Sequence, residues 1–176
     1  KLYYKTYSNK GKRKNNEDDF FPREGDRHDN LFLVCDGIGA HGNGDIASAY
    51  VTSNLPQIMK SFDVHSNDLE FPIQQIHMGL KTYAKAYGNP KMGCTLAVLK
   101  FVENSAWLGW VGDTRVYHIR AGQIHYKTKD HTLVQLMLDN QKISAHEATN
   151  YPLKNVIYQA VGSTAKHIQP SVQKID

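Results

Sequence analysis

Three aspartates in this chain stand where the backbone must reverse direction. Asp18 follows a basic loop and precedes Phe20-Phe21, and Asp113 lies in Gly112-Asp113-Thr114-Arg115 between two strand-like runs. Asp36 ends the apolar run Leu31-Phe32-Leu33-Val34-Cys35 and opens Gly37-Ile38-Gly39-Ala40-His41-Gly42-Asn43-Gly44, four glycines in eight residues. Taken singly, each aspartate reads as a turn residue bonding its own backbone. That reading weakens at Asp36, because glycine permits close backbone approach and lets carbonyls turn toward a cation. Carboxylates at strand ends beside glycine can converge on one rim of a sheet. Hard oxygen donors of that kind suit Mg²⁺ or Mn²⁺ and not zinc.

The elements that must position them follow in a readable order. Residues 2–7 are rich in aromatic and apolar side chains and predict a first strand. The continuous apolar run over 31–35 predicts a strand buried on both faces. Ala47, Val51, Leu55, Ile58 and Phe62 share one helix face, and Leu69, Ile73, Ile76, Leu80, Tyr83 and Tyr87 predict a second helix. Ser66-Asn67-Asp68 offers caps for that helix, Pro72 fits its first turn, and Gly88-Asn89-Pro90 ends it. Four strand-like runs follow over 94–102, 106–111, 115–120 and 123–127, the last two joined by an Ala121-Gly122 turn. Thr132 caps a helix carrying Leu133, Leu136 and Met137, and Ser144-Ala145-His146-Glu147 has capping-box spacing. A last helix is predicted through Val156, Ile157, Ala160 and Val161, stopped by Gly162. Strands, then two long helices, then a strand meander argue for an α+β fold with antiparallel sheets covered by helices.

Bulk properties narrow the function classes. The chain has 176 residues, 40% hydrophobic and 22% charged, which fits one globular domain over residues 1–176. The net charge of +4 is spread along the chain, and its densest basic run, residues 10–14, sits just before Glu17-Asp18-Asp19. A nucleic-acid protein more often shows a basic stripe interleaved with aromatics, so no nucleic-acid partner is expected. No stretch reaches the length of a membrane span, and the first residues lack the apolar run of a secretory signal. Cys35 and Cys94 lie in apolar segments and form no C-x-x-C pair, so they read as reduced buried thiols of a cytoplasmic protein. His77 and His146 read as surface or interface histidines, and Trp107 and Trp110 as core.

Six segments together resemble the type 2C, metal-dependent protein phosphatases in their bacterial form. Arg13-Lys14-Asn15-Asn16-Glu17-Asp18-Asp19-Phe20 is similar to R-x-x-N-E-D-x-F, and residues 33–41 resemble V-x-D-G-[MI]-G-G-H. Met92-Gly93-Cys94-Thr95-Leu96 resembles the M-G-T-T segment, Gly112-Asp113-Thr114-Arg115-Val116-Tyr117 resembles G-D-S-R-x-Y, and Thr128-Lys129-Asp130-His131-Thr132 resembles T-x-D-H-S. Residues 155–162 are similar to N-x-[IL]-x-x-x-[LV]-G. The six stand in the family's order and span nearly the whole chain.

The resemblance implies a sandwich of two antiparallel β-sheets flanked by helices, with a centre of two Mn²⁺ or Mg²⁺ ions and in some members a third. Carried onto this chain, Asp36 bridges the two metals, Gly37 offers them a backbone carbonyl and Asp18 contacts their shell. Glu17 anchors metal-held water, and Asp113 matches the ligand of the third ion. Arg13 matches the phosphate clamp, with a solvated place in the basic run as its bland alternative. Asp130 and His131 match supports near the site. The implied reaction is hydrolysis of phosphoserine or phosphothreonine by a metal-activated water, with a phosphorylated protein as partner and a serine/threonine kinase opposing it. His41 is the candidate general acid. Eukaryotic members place that histidine directly after the D-G pair, where this chain has Ile38, so a solvent-facing His41 competes. Beyond the strand beginning near His167 the family continues into S-D-G and D-N motifs that bring further aspartates, so the domain reads as lacking its C-terminal strands. A phosphatase-like binding or regulatory module without catalysis is therefore the alternative. A phosphate or nucleotide domain using the glycine loop alone is weaker, since the loop matches neither the P-loop nor the dinucleotide pattern.

Overall fold

The computed structural model describes residues 2–26, 30–38, 42–61 and 68–175. Its elements run β1 (Asp18–Phe21), β2 (Leu31–Asp36), α1 (Gly44–Ser61), α2 (Glu70–Ala86), β3 (Leu96–Val102), β4 (Ser105–Val111), β5 (Tyr117–Arg120), β6 (Gln123–Lys127), α3 (Leu133–Asp139), α4 (Ala145–Thr149) and β7 (Ser171–Ile175). Five strands form one antiparallel sheet in the order β1-β2-β3-β4-β7, and β5-β6 stands apart as a hairpin. This is the expected α+β class, antiparallel sheets with helices packed on them.

The core lies between the large sheet and the two long helices. Ala47, Val51, Leu55 and Met59 recur every fourth residue along α1, and Ile73, Ile76, Leu80 and Ala84 line α2. They meet Leu31, Leu33 and Cys35 of β2 and Leu96 and Val98 of β3. Full burial of a leucine such as Leu33 or Leu80 stabilises by roughly 1.5–3 kcal/mol. β2 is not buried on both faces as its apolar run suggests. Its side chains alternate, with Leu31, Leu33 and Cys35 inward and Val34 48% exposed, because an antiparallel sheet with helices on one face needs only one apolar side.

Two predicted elements do not form. Residues 2–10 carry no regular structure, with Tyr3 and Tyr7 80% and 84% exposed. β-propensity without a partner strand makes no ladder, and β1 at 18–21 takes the place beside β2 instead. The helix expected through Val161 is replaced by bridges. Cys94 and Val161 exchange backbone hydrogen bonds at 3.0 and 2.9 Å, and Tyr158 N–H donates to the His131 carbonyl at 3.0 Å. The apolar spacing there serves two separate pairings with neighbouring segments, not a helix face.

Local signals were otherwise specific. Thr132 accepts from the Gln135 N–H at the start of α3, and Ser144 and Glu147 form the reciprocal capping box of α4. Ala121 and Gly122 turn the β5-β6 hairpin with φ of 49° and 75°. Of the expected α2 caps, Ser66 and Asn67 lie outside the described residues, as does Phe62 of the α1 face, and Leu69 occupies the N-cap with no side-chain hydrogen bond. His77 is a correction: it is fully buried. Its Nδ1 accepts the Gly162 N–H at 3.1 Å and its Nε2 lies 3.1 Å from the Ala165 carbonyl. The ring thus pins the segment after residue 160 to α2. Trp110 is buried, with its indole N–H donating to the Lys129 carbonyl at 2.8 Å.

Candidate active site

The antiparallel register of β1 and β2 sets Asp18 directly opposite Asp36. Beyond that pair the Gly37 N–H donates to the Glu17 carbonyl at 2.9 Å, and the Ser48 hydroxyl donates to the same oxygen at 2.7 Å. The first turn of α1 is thereby tied to the strand ends. Gly37 and Gly44 are in backbone contact: a Cβ added at Gly37 would lie 2.2 Å from the Gly44 carbonyl oxygen. Only glycine lets the turn fold back this closely, so glycine at 37 and at 44 is a packing requirement.

Thr95, just before β3, fixes Asp36 from the other side. Its hydroxyl accepts the Asp36 N–H at 3.0 Å, and its own N–H donates to the Asp36 carbonyl at 2.8 Å. The same hydroxyl lies 2.5 Å from that of Thr114, which links β2 to the turn holding Asp113. That turn is braced by His131, whose Nδ1 accepts the Gly112 N–H at 3.2 Å and whose Nε2 lies 2.9 Å from the Ser171 hydroxyl. Asp130 takes the guanidinium fork of Arg115 at 2.9 and 2.6 Å. Asp130 and His131 therefore act as supports.

These contacts leave a cleft of about 470 Å³ lined by Arg13, Glu17, Asp36, Gly37 and Asp113, with Asn155 and Ile157 on a further wall. Arg13 is 64% exposed, with Nη1 3.8 Å from Glu17 Oε2 and 3.9 Å from Asp36 Oδ1. Burial pushes the Asp36 carboxyl up to about 6, the Asp18 carboxylate adds to the rise, Arg13 opposes it and Asp113 adds again. Asp113 is also raised, chiefly by burial, with Asp130 adding to it and Arg115 opposing.

Of the candidate residues, Arg13, Glu17, Asp36, Gly37 and Asp113 thus share one cleft, and Asp18 touches it through its pairing with Asp36. His41 lies outside the described residues. Reading the sequence missed Ser48, Thr95 and Asn155 as parts of the site. Thr95 and Asn155 stand inside recognised segments, the only signal available. Ser48 acts across 31 positions and left none.

The donor set suits a hard divalent cation incompletely. Asp18 and Asp36 face each other, and no described backbone N–H donates to the Gly37 carbonyl. A cation held by those groups would offset the Asp18 repulsion that adds to the burial-driven rise of Asp36. Among the described residues, however, no three His, Cys, Asp or Glu side chains are grouped to hold a metal ion by themselves.

Comparison with known proteins gives a consistent answer. The protein phosphatase 2C family profile matches residues 7–152. Protein phosphatase PhpP of Streptococcus pneumoniae is 32% identical over 149 residues, covering 80% of this chain and 58% of the relative. The crystal structure of the serine/threonine phosphatase Stp1 from Staphylococcus aureus superposes with a TM-score of 0.77 at 30% identity, over 92% of this chain and 66% of that one. A catalytic domain of the serine/threonine protein phosphatase PstP in complex with two manganese ions superposes with a TM-score of 0.70 at 26% identity, over 93% and 66%. The chain spans about three-fifths of the length of the curated relative named here.

Proposed function

The chain belongs to the protein phosphatase 2C family, and from that premise we propose that its cleft hydrolyses phosphoserine or phosphothreonine in proteins with Mn²⁺ or Mg²⁺ as cofactor. The observation that carries the reading is the pairing of Asp18 with Asp36, Asp36 lining a cleft rimmed by Arg13. A phosphate dianion approaching this cleft meets Glu17, Asp36 and Asp113, with Asp18 opposite Asp36 in the strand register and one guanidinium against the four. Four carboxylates repel such a ligand unless divalent cations reverse the local sign.

Asp18, Asp36 and the Gly37 carbonyl would hold the cations, two by analogy with the PstP domain, and Asp113, in the same cleft, would hold a third. When bound, such cations supply an acidified water for attack at phosphorus and positive charge against the charge that develops there. The chain's own residues do the rest. Arg13 offers a planar fork matched to two phosphate oxygens, and its loose contacts with Glu17 and Asp36 leave it able to turn toward a ligand. Thr95 and Ser48 keep Asp36 and Glu17 from swinging out of register. His41 remains the candidate proton donor to the departing alkoxide.

The expected partner is a phosphorylated protein whose serine/threonine kinase this activity opposes. The buried free thiols of Cys35 and Cys94 suit a reducing compartment and support a cytoplasmic location; no helix among the described residues is long and apolar enough to cross a membrane. A second reading, a module that binds phosphoproteins without hydrolysing them, draws on the lack of a three-carboxylate cluster among the described residues. Phosphate release from a phosphothreonine peptide by the full-length protein separates the two. Turnover that appears with Mn²⁺ or Mg²⁺ and vanishes on chelation supports the enzyme. Binding without turnover at any metal concentration supports the module.

A further inference from the structure

The catalytic cleft does not end at its own walls. Ile38, Asn155 and Ile157 line both that cleft and a second groove of about 430 Å³, so the two adjoin along these residues. Each half lies in the size range of ligand sites, about 300–1,000 Å³. A phosphoserine side chain fills only part of one half, so the second is room for what flanks it.

The two halves differ in charge. Glu17, Asp36 and Asp113 line the first, whereas no carboxylate of the described residues lines the second, where Lys91 is the cation. Lys91 is exposed, and its ammonium makes no hydrogen bond or ion pair among the described residues. Its position is nonetheless fixed. Its N–H donates to Asn89 Oδ1 at 3.3 Å, and Asn89 Nδ2 donates to Asn43 Oδ1 at 2.9 Å and to the Gly42 carbonyl at 3.1 Å. The turn carrying Lys91 is thus anchored to the glycine-rich stretch that shapes the catalytic end. Asn155, at the junction, has a carboxamide with no partner among the described residues, able to pair with a peptide backbone.

We propose that this second groove receives the polypeptide on one side of the phosphorylated residue, and that Lys91 makes the protein prefer a substrate with an acidic side chain at that place. The inference rests on the phosphatase reading above. With the phosphate held at the carboxylate end by the proposed cations, an acidic flank is attracted at the Lys91 end, so the two contacts also orient the bound chain.

The test uses the full-length protein with Mn²⁺ and phosphothreonine peptides in which one aspartate is scanned through the flanking positions, beside a small aryl phosphate that has no flank. One position is expected to raise kcat/KM by roughly two- to fivefold over alanine, the range of an exposed ion pair. That gain disappears in Lys91→Ala, turns into a preference for lysine in Lys91→Glu, and shrinks at high salt. Turnover of the aryl phosphate is unchanged in both variants. The same aspartate preference in wild type and Lys91→Glu, or no preference beside normal aryl phosphate turnover, overturns the groove and leaves the phosphatase reading standing. Loss of all turnover in the wild type removes both.

Discussion

Asp36 is held in a conflict that the apo protein cannot resolve. Its carboxyl is pushed up to about 6 by burial and by Asp18, against an ordinary value of 3.8. The folded state therefore binds a proton that the unfolded state has already released between about pH 4 and 6, so this group's contribution to stability falls as pH rises through that window. Asp36→Asn should consequently leave the metal-free protein more stable than wild type at pH 7, and by less at pH 4, as read from urea midpoints. Arg13 divides two readings as cleanly. If its fork clamps phosphate, Arg13→Ala costs about 1.5–3 kcal/mol, roughly ten- to a hundredfold in kcat/KM, and Arg13→Lys recovers only part. If it is one charge in the basic run, Lys12→Ala does similar damage and salt erases both effects.

The element scale explains why the site holds its shape. β1 and β2 deliver Asp18 and Asp36 through register alone, and α1 can begin where it does because Gly37 and Gly44 touch. Gly37→Ala should therefore cost more than the about 1–3 kcal/mol of an ordinary overpacked position, since the added carbon meets backbone that cannot rotate away. A lowered melting temperature with loss of activity is the expected result. Across the fold, His77 ties α2 to the segment after residue 160, and burial lowers its pKa from 6.5. A lowered histidine binds fewer protons folded than unfolded, so its stabilising contribution is complete above about pH 6.5 and is lost as pH falls below it. Urea unfolding at pH 7.5 and 5.5 should show that loss, and His77→Asn should flatten it. Elements of this kind were unevenly legible. The capping box at Ser144 and the Ala121-Gly122 turn are local, and sequence order shows them. The burial of His77 depends on a partner 85 positions away, and the 156–161 apolar spacing mimics a helix that cross-chain bridges pre-empt.

At the scale of the molecule, an antiparallel sheet under two helices carries an acidic cleft at the ends of its strands, and the aspartates of that cleft were readable from their places at chain reversals. The bonds that hold them were not, because Thr95 reaches Asp36 across 59 positions and leaves no periodic trace. The most direct measurement compares full-length wild type with Asp36→Asn, following Mn²⁺ binding by calorimetry and phosphopeptide turnover on the same samples, with circular dichroism to establish folding. If Asp36 holds the proposed cations, losing its charge should weaken their binding, so the account predicts a folded variant with loss of Mn²⁺ binding and of turnover. A folded Asp36→Asn protein that still turns over substrate at nearly the wild-type rate would contradict it.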